Sequence, residues 1–363
     1  MSGADRKPSP DKVTTAASVK ASGMYADPDP NWLAQLVEEV IEPDLPIVDA
    51  HHHLWSRGEV GYLFDDYLSD LESGHRVVST VYVDCHSMYR AEGPRAMRPL
   101  GEVEFANGVA AMSASGGYGA TRVCQGIVGY ADLRGGDDAR RLLEAQMAAG
   151  GGRFKGIRQS SAWSHDEVIM RPMGSRPKGL LLDPAFRKGF AHLAPLGLSF
   201  DAFLFHPQLG ELYDLARQFP DTAIVVDHVG TPLGMSSYSA WRREVFDDWK
   251  RSMCELAQLP NVWVKLGGLG MFTPGLDFHA RATPPGSAEI AAGWGPFIET
   301  CIEAFGPRRV MFESNFPPDK GSCSYRTLWN VFKRIASGYS DEERRDLFSG
   351  SAINFYRLSP VLN

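Results

Sequence analysis

Eight short runs rich in apolar and β-branched residues recur along this chain, with helix-like stretches between them. The runs fall at 47–53, 77–85, 123–129, 153–159, 198–205, 223–228, 262–266 and 310–314. The intervening stretches include DDARRLLEAQMAA, DPAFRKGFAHLA and VFDDWKRSMCELAQL. Strands that alternate with helices pair in parallel, because each helix returns the chain to the starting edge of the sheet. Eight such units predict an α/β chain folded as a (β/α)8 TIM barrel. A doubly wound open sheet is the alternative, but no glycine-rich fingerprint follows the first run. Residues 1–45 read as a disordered N-terminal arm plus a leading helix, and residues 46–358 as the barrel domain. The loops at 160–182 and 270–294 are long and rich in Gly, Pro and Ser, as loops over a site often are.

Composition narrows the function. The 363 residues carry a formal charge of −7 and are 44% hydrophobic. No Lys/Arg-rich run offers a phosphate patch, so nucleic acid is not an expected partner. No apolar stretch is long enough for a membrane span. Five scattered cysteines with no CxxC pair argue against a disulfide framework or a zinc finger, and a reducing cytoplasm is the expected compartment. Size alone suggests a homodimer.

Barrel enzymes work at the C-terminal ends of their strands. Here those ends collect His51 and His53, Lys155 and Arg158, His206, Asp227 and His228, Lys265, and the run FESNFPPD. In IVDAHHHLW, strict alternation puts His51, His53 and Asp49 on one face and His52 on the other. Two imidazoles so spaced suit a borderline divalent ion, which a later-strand histidine would complete.

Together IVDAHHHLW, FKGIRQ, DHVGTP, VWVKLGGL and RVMFESNFP resemble the amidohydrolase superfamily, in its amidohydrolase-related branch. That branch includes pyrone-dicarboxylate and L-fucono-lactonases, with aromatic-acid decarboxylases more distant. The resemblance runs over 46–358 and implies a distorted TIM barrel. It makes His51 and His53 the first-strand pair and His228 the later-strand histidine. One divalent ion, zinc for preference, is implied on His51, His53 and His228, with His206 as the competing third imidazole. The branch also holds lactonases that work without metal.

The usual eighth-strand motif is Ser-Asp-aromatic-Pro, whereas this chain has Ser314-Asn315-Phe316-Pro317. A neutral amide cannot take a proton near neutral pH. Glu313 and then Asp319 are the candidates to replace the missing acid. The expected catalytic set is therefore Glu313, Asn315, Asp319 and His228, with Asp227 orienting His228. Arg158 offers a forked donor for a carboxylate or lactone carbonyl. Lys155, Trp163 and Tyr89 join it as expected substrate contacts, and Trp294 and Tyr325 are further candidates for an aromatic wall. The expected activity is hydrolysis of a lactone or related carboxylic ester, on a small carboxylate or lactone substrate. Non-oxidative decarboxylation of an aromatic or unsaturated acid is the alternative.

Overall fold

All eight runs form strands in the computed structural model, which describes residues 23–57, 60–174 and 176–359. They are β1 (Ile47–His52), β2 (Val77–Val83), β3 (Arg122–Gly129), β4 (Phe154–Arg158), β5 (Ser199–Ala202), β6 (Ile224–Val226), β7 (Val262–Leu266) and β8 (Val310–Phe312). Each pairs in parallel with the next in chain order. The chain just beyond β8 closes the ring against β1. Asn315 N–H donates to His51 O (2.9 Å) and His53 N–H donates to Phe316 O (2.8 Å). The architecture is a nearly closed (β/α)8 barrel.

Both faces of the strands are apolar because both are covered. Outward residues such as Ile127, Ile157, Phe200 and Val264 pack in the main core with helix residues such as Trp294 and Trp329. Inward residues Val48, Ala50, Val81, Val83, Val128, Val225 and Met311 form a second cluster with Phe355 and Tyr356. Those two aromatics come from a short helix, Ser351–Tyr356, near the end of the chain. Among the described residues, no helix is long and apolar enough to cross a membrane.

The first strand departs from strict alternation. Its pairing with β2 slips between Asp49 and His52. A bulge turns two successive side chains to one side, so Ala50 and His51 both face the barrel interior. Asp49 therefore does not share the histidine face, contrary to the alternation reading. It accepts from Tyr67 Oη (2.8 Å) and Tyr325 Oη (3.0 Å) in the helix layer. His52 also faces that layer, stacked on Tyr67 at 4.2 Å and bonded to Thr80 Oγ1 at 2.9 Å.

Strands β5, β6 and β8 are shorter than the apolar runs suggested, and their polar ends lie in loops. The expected arm at 1–22 lies outside the described residues. From Gly23 the chain packs beside the barrel mouth: Met24 O accepts from Phe272 N–H (2.8 Å), and Tyr25 stacks on Trp55 at 5.9 Å. The leading helix is a single turn, Pro30–Leu33, capped by Asp29.

Glu102 shapes the loop after β2. Its Oε1 accepts from Cys85 N–H (2.8 Å), Ser87 N–H (3.1 Å) and Tyr82 Oη (2.9 Å), while its buried Oε2 has no partner. Burial, reinforced by Asp84, raises its carboxyl from 4.5 to about 7. A raised carboxyl contributes stability that is complete below its unfolded value and fades as pH rises through its folded value. The wild type should therefore lose on the order of 3 kcal/mol relative to Glu102→Gln between pH 4.5 and about 7. Thermal unfolding of both proteins across that range checks this; parallel curves would sink it.

Candidate active site

Three imidazoles, four carboxylates (Glu313, Asp227, Asp201 and Asp84), one ammonium and one guanidinium converge where β1, β2 and β4 to β8 end. Glu313, the residue after β8, is fully buried. Its Oε1 accepts from both His228 N–H (3.0 Å) and His228 Nδ1–H (2.7 Å). This double grip needs an unusual turn: His228 and Val229 adopt φ of 55° and 48°. Such values are costly, for a β-branched residue above all, and persist where the surroundings over-determine them. Gly268 (φ +70°) permits it, since a Cβ there would collide with the His228 side chain. With Nδ1–H committed to Glu313, His228 keeps its Nε2 lone pair free.

The first-strand pair is held just as closely. His53 Nδ1–H donates to Val83 O (2.8 Å), so its Nε2 is the acceptor facing His51 Nε2 at 3.1 Å. Lys265 Nζ lies 3.1 Å from His51 Nδ1 and donates to Asp201 Oδ2 at 2.6 Å. Burial, then Lys265 for His51 and Arg158 for His53, holds both imidazoles well below 6.5, so they are neutral. Burial opposes the charge on Glu313, but His228 and His51 outweigh it and hold its carboxyl at about 2. Asp227, buried beside them, is also held low: Lys265, His228 and Arg158 outweigh its desolvation.

Arg158 donates Nε–H to Asp84 Oδ1 (2.9 Å), with a second contact to Asp84 O, and its NH1 lies 3.2 Å from His51 Nε2. Asn315 donates Nδ2–H to Asp319 Oδ1 (2.9 Å), and Gly270 N–H donates to Asp319 Oδ2 (3.1 Å). Burial raises the Asp319 carboxyl to about 7. Above these groups opens a cavity of about 310 Å³, lined by His53, Trp55, Arg57, Asp84, His86, Tyr130, Arg158, Arg176, Phe203, His228 and Asn315, among others.

Of the expected residues, His53, His228, Arg158 and Asn315 line this cavity, with His51 and Glu313 directly beneath. Asp319 stands behind Asn315. Four expectations are corrected. Lys155 sits near the start of β4 and donates to Arg357 O (3.3 Å), at the opposite end of the strand from Arg158. His206 accepts from Leu233 N–H through Nδ1 (3.2 Å) and packs on Tyr238, away from the cavity. Trp163 packs against His165 and Lys178, with its backbone held by Gln208. Tyr89 acts at one remove, its Oη 2.7 Å from Nδ1 of the cavity residue His86. Of the wider aromatic candidates, Trp294 and Tyr325 are core residues. Asp84, Arg57 and Arg176 line the cavity and Asp201 lies beneath it on Lys265, and none of the four is among the expected residues. Asp84 and Asp201 had a signal, each a carboxylate within a strand-like apolar run.

The residues also suit a cation. Ligand atoms of His51, Asp227 and His228 lie within 4.8 Å of one another. Asp227 Oδ2 is buried without a hydrogen bond, while Glu313 Oε2 lies 2.9 Å from His51 Nδ1. Two resident cations limit the affinity: Lys265 Nζ stands 3.1 Å from Asp227 Oδ1, and Arg158 NH1 stands 3.6 Å from Asp227 Oδ2. Arg158→Gln should therefore bind zinc at least about tenfold more tightly, because it removes one nearby positive charge. Chelator competition on the zinc-loaded proteins measures this, and equal affinities would contradict it.

A parallel eight-stranded barrel with histidines, acids and an arginine gathered at its C-terminal mouth defines a class of barrel enzymes. The chain belongs to the amidohydrolase family: residues 48–358 match that family's model, and the protein is an amidohydrolase-superfamily hydrolase. It is 34% identical over 340 residues to the uncharacterized protein y4mH of Sinorhizobium fredii, covering 87% of this chain and 99% of that one. It is 26% identical over 324 residues to an L-fucono-1,5-lactonase of Burkholderia multivorans, covering 86% and 96%. The solved structure of a Burkholderia multivorans amidohydrolase with bound zinc shares the fold, at TM-score 0.64 and 24% identity over 86% of this chain and 99% of that one.

Proposed function

We propose that this hydrolase opens a lactone or a closely related carboxylic ester. The observation that carries the reading is the buried Glu313–His228 pair at 2.7 Å, whose imidazole lines the cavity beside Arg158 and Asn315. A carboxylate that fixes the Nδ1–H tautomer leaves Nε2 as a base poised for water. His228 takes the proton of the attacking water, and Glu313 stabilises the imidazolium that forms. Arg158, on the same cavity, donates to the carbonyl oxygen as it gains charge. The His228 imidazolium then returns that proton to the ring oxygen as the acyl–oxygen bond breaks, and Asn315, held by Asp319 at 2.9 Å, lines the cavity beside it. A divalent ion on His51, Asp227 and His228 would supply Lewis-acid polarisation instead, because it would take the His228 Nε2 lone pair that otherwise accepts the proton. The relatives named as lactonases support the substrate class.

Ring opening of a panel of sugar and unsaturated γ- and δ-lactones, followed by pH-stat, tests the proposal. Proton release is the expected result. Carbon dioxide release from substituted benzoates, with every lactone left intact, would replace it with the decarboxylase reading.

A further inference from the structure

The charges around the cavity do not balance. Arg57, Arg158 and Arg176 line it, and the one carboxylate among its lining residues is Asp84. Asp84 is already committed to Arg158, through Oδ1 at 2.9 Å and through its carbonyl oxygen. Arg176, in the long loop after β4, makes no hydrogen bond or ion pair among the described residues, and its Nε is buried without a partner. Arg57 donates to two neutral oxygens, Tyr25 Oη (3.3 Å) and Cys85 O (2.6 Å), and its guanidinium lies 4.3 Å over the Trp55 ring.

A partly desolvated guanidinium without an acid is unfavourable until something supplies one. Burial and the like charge of Arg158 oppose the charge on Arg176, and Asp84, already bonded to Arg158, offsets them only in part. Arg158 itself is fixed by Asp84 and lies near Asp227, so its positive charge is already offset. The uncompensated donor is Arg176; Arg57, exposed at the rim, adds a second positive charge, and both open on the cavity that His228 and Asn315 share. A guanidinium's rigid fork suits the two oxygens of a planar carboxylate, and two such forks strengthen the preference.

We infer that Arg176, with Arg57, is a specificity-determining site for a carboxylate on the substrate, distinct from the carbonyl that is attacked. This inference rests on the lactone-hydrolase reading and narrows it to lactones that carry an acid group on or beside the ring. Arg158 then serves the reacting carbonyl, and Arg176 holds the far end of the molecule. The position of the ring between two anchored ends follows.

Two measurements test this separately from the proposed reaction. The first compares kcat/KM for γ-butyrolactone carboxylate and its carboxamide in the wild type, Arg176→Gln and Arg176→Lys. The wild type should favour the acid by at least about 30-fold, the size of a charge-assisted hydrogen-bonded pair. Arg176→Gln should collapse that ratio, and Arg176→Lys should restore part of it. An unchanged ratio in Arg176→Gln, or no preference in the wild type, overturns the inference. The second is calorimetric binding of tetrahydrofuran carboxylate, which has no bond to hydrolyse. Binding to the wild type at least about tenfold tighter than to Arg176→Gln supports the site even if every lactone proves inert, in which case the hydrolase proposal alone fails. Equal or undetectable binding in both proteins overturns the site.

Discussion

Glu313→Gln is expected to lower kcat by about a hundred- to ten-thousandfold, with KM changed far less. The amide keeps the shape of the side chain but loses the charge that His228 needs when it becomes an imidazolium. Its one remaining oxygen must serve both His228 N–H and His228 Nδ1–H, which the carboxylate Oε1 accepts at 3.0 and 2.7 Å, and it does so without charge. With an amide NH₂ in place of one oxygen, the ring can turn or exchange tautomers, and its Nε2 is no longer a reliable base. His228→Asn should cost a similar factor. The double variant should cost little more than either, because groups that act as one unit are not additive. Steady-state kinetics on whichever lactone the panel identifies provide the measurement. A Glu313→Gln enzyme within tenfold of wild type would remove the dyad from the mechanism.

Lys265→Met is expected to destabilise the fold by about 3–5 kcal/mol, the usual result of stripping one partner from a buried ion pair. Lys265 is completely buried and stands 2.6 Å from Asp201 and 3.1 Å from Asp227. Asp201 is bonded from the other side by Tyr356 Oη at 2.6 Å. Burial raises its carboxyl to about 6, with Lys265 opposing that rise and Asp227 adding to it. Without the ammonium, two carboxylates would face each other in the barrel interior. Introducing Asp201→Asn into Lys265→Met should recover a good part of the loss, because it removes one of the two stranded charges. Chemical denaturation of the single and double variants measures both steps. A second substitution that only adds to the damage would show that Lys265 matters for packing rather than charge.

Much of the molecule was legible in the amino-acid order. Eight runs dominated by Val, Ile, Leu and Phe can be covered on both faces only in a parallel sheet wrapped by helices, and their spacing leaves room for one helix each. The rule that chemistry sits at the C-terminal strand ends then placed His53, Arg158, His228, Glu313 and Asn315 at one mouth. Those positions depend on local chain direction, which the sequence specifies residue by residue.

Tertiary structure decided which of these groups meet. Alternation put Asp49 beside His51, but the bulge in β1 arises from pairing with β2, a partner about 30 residues away, so no local pattern could reveal it. His206 has the composition of a ligand, yet the turn after β5 carries it toward Tyr238. Lys155 and Arg158 share one strand, but one lies near its start and the other at its end, so only Arg158 reaches the cavity. Asp84, just after β2, acquires its role from Arg158 on β4, and Asp201 on β5 acquires its role from Lys265 on β7. The free charge on Arg176 is of the same kind. A sequence records that an arginine is present; whether an acid stands opposite it depends on distances between loops far apart in the chain, and those are set only when the barrel closes.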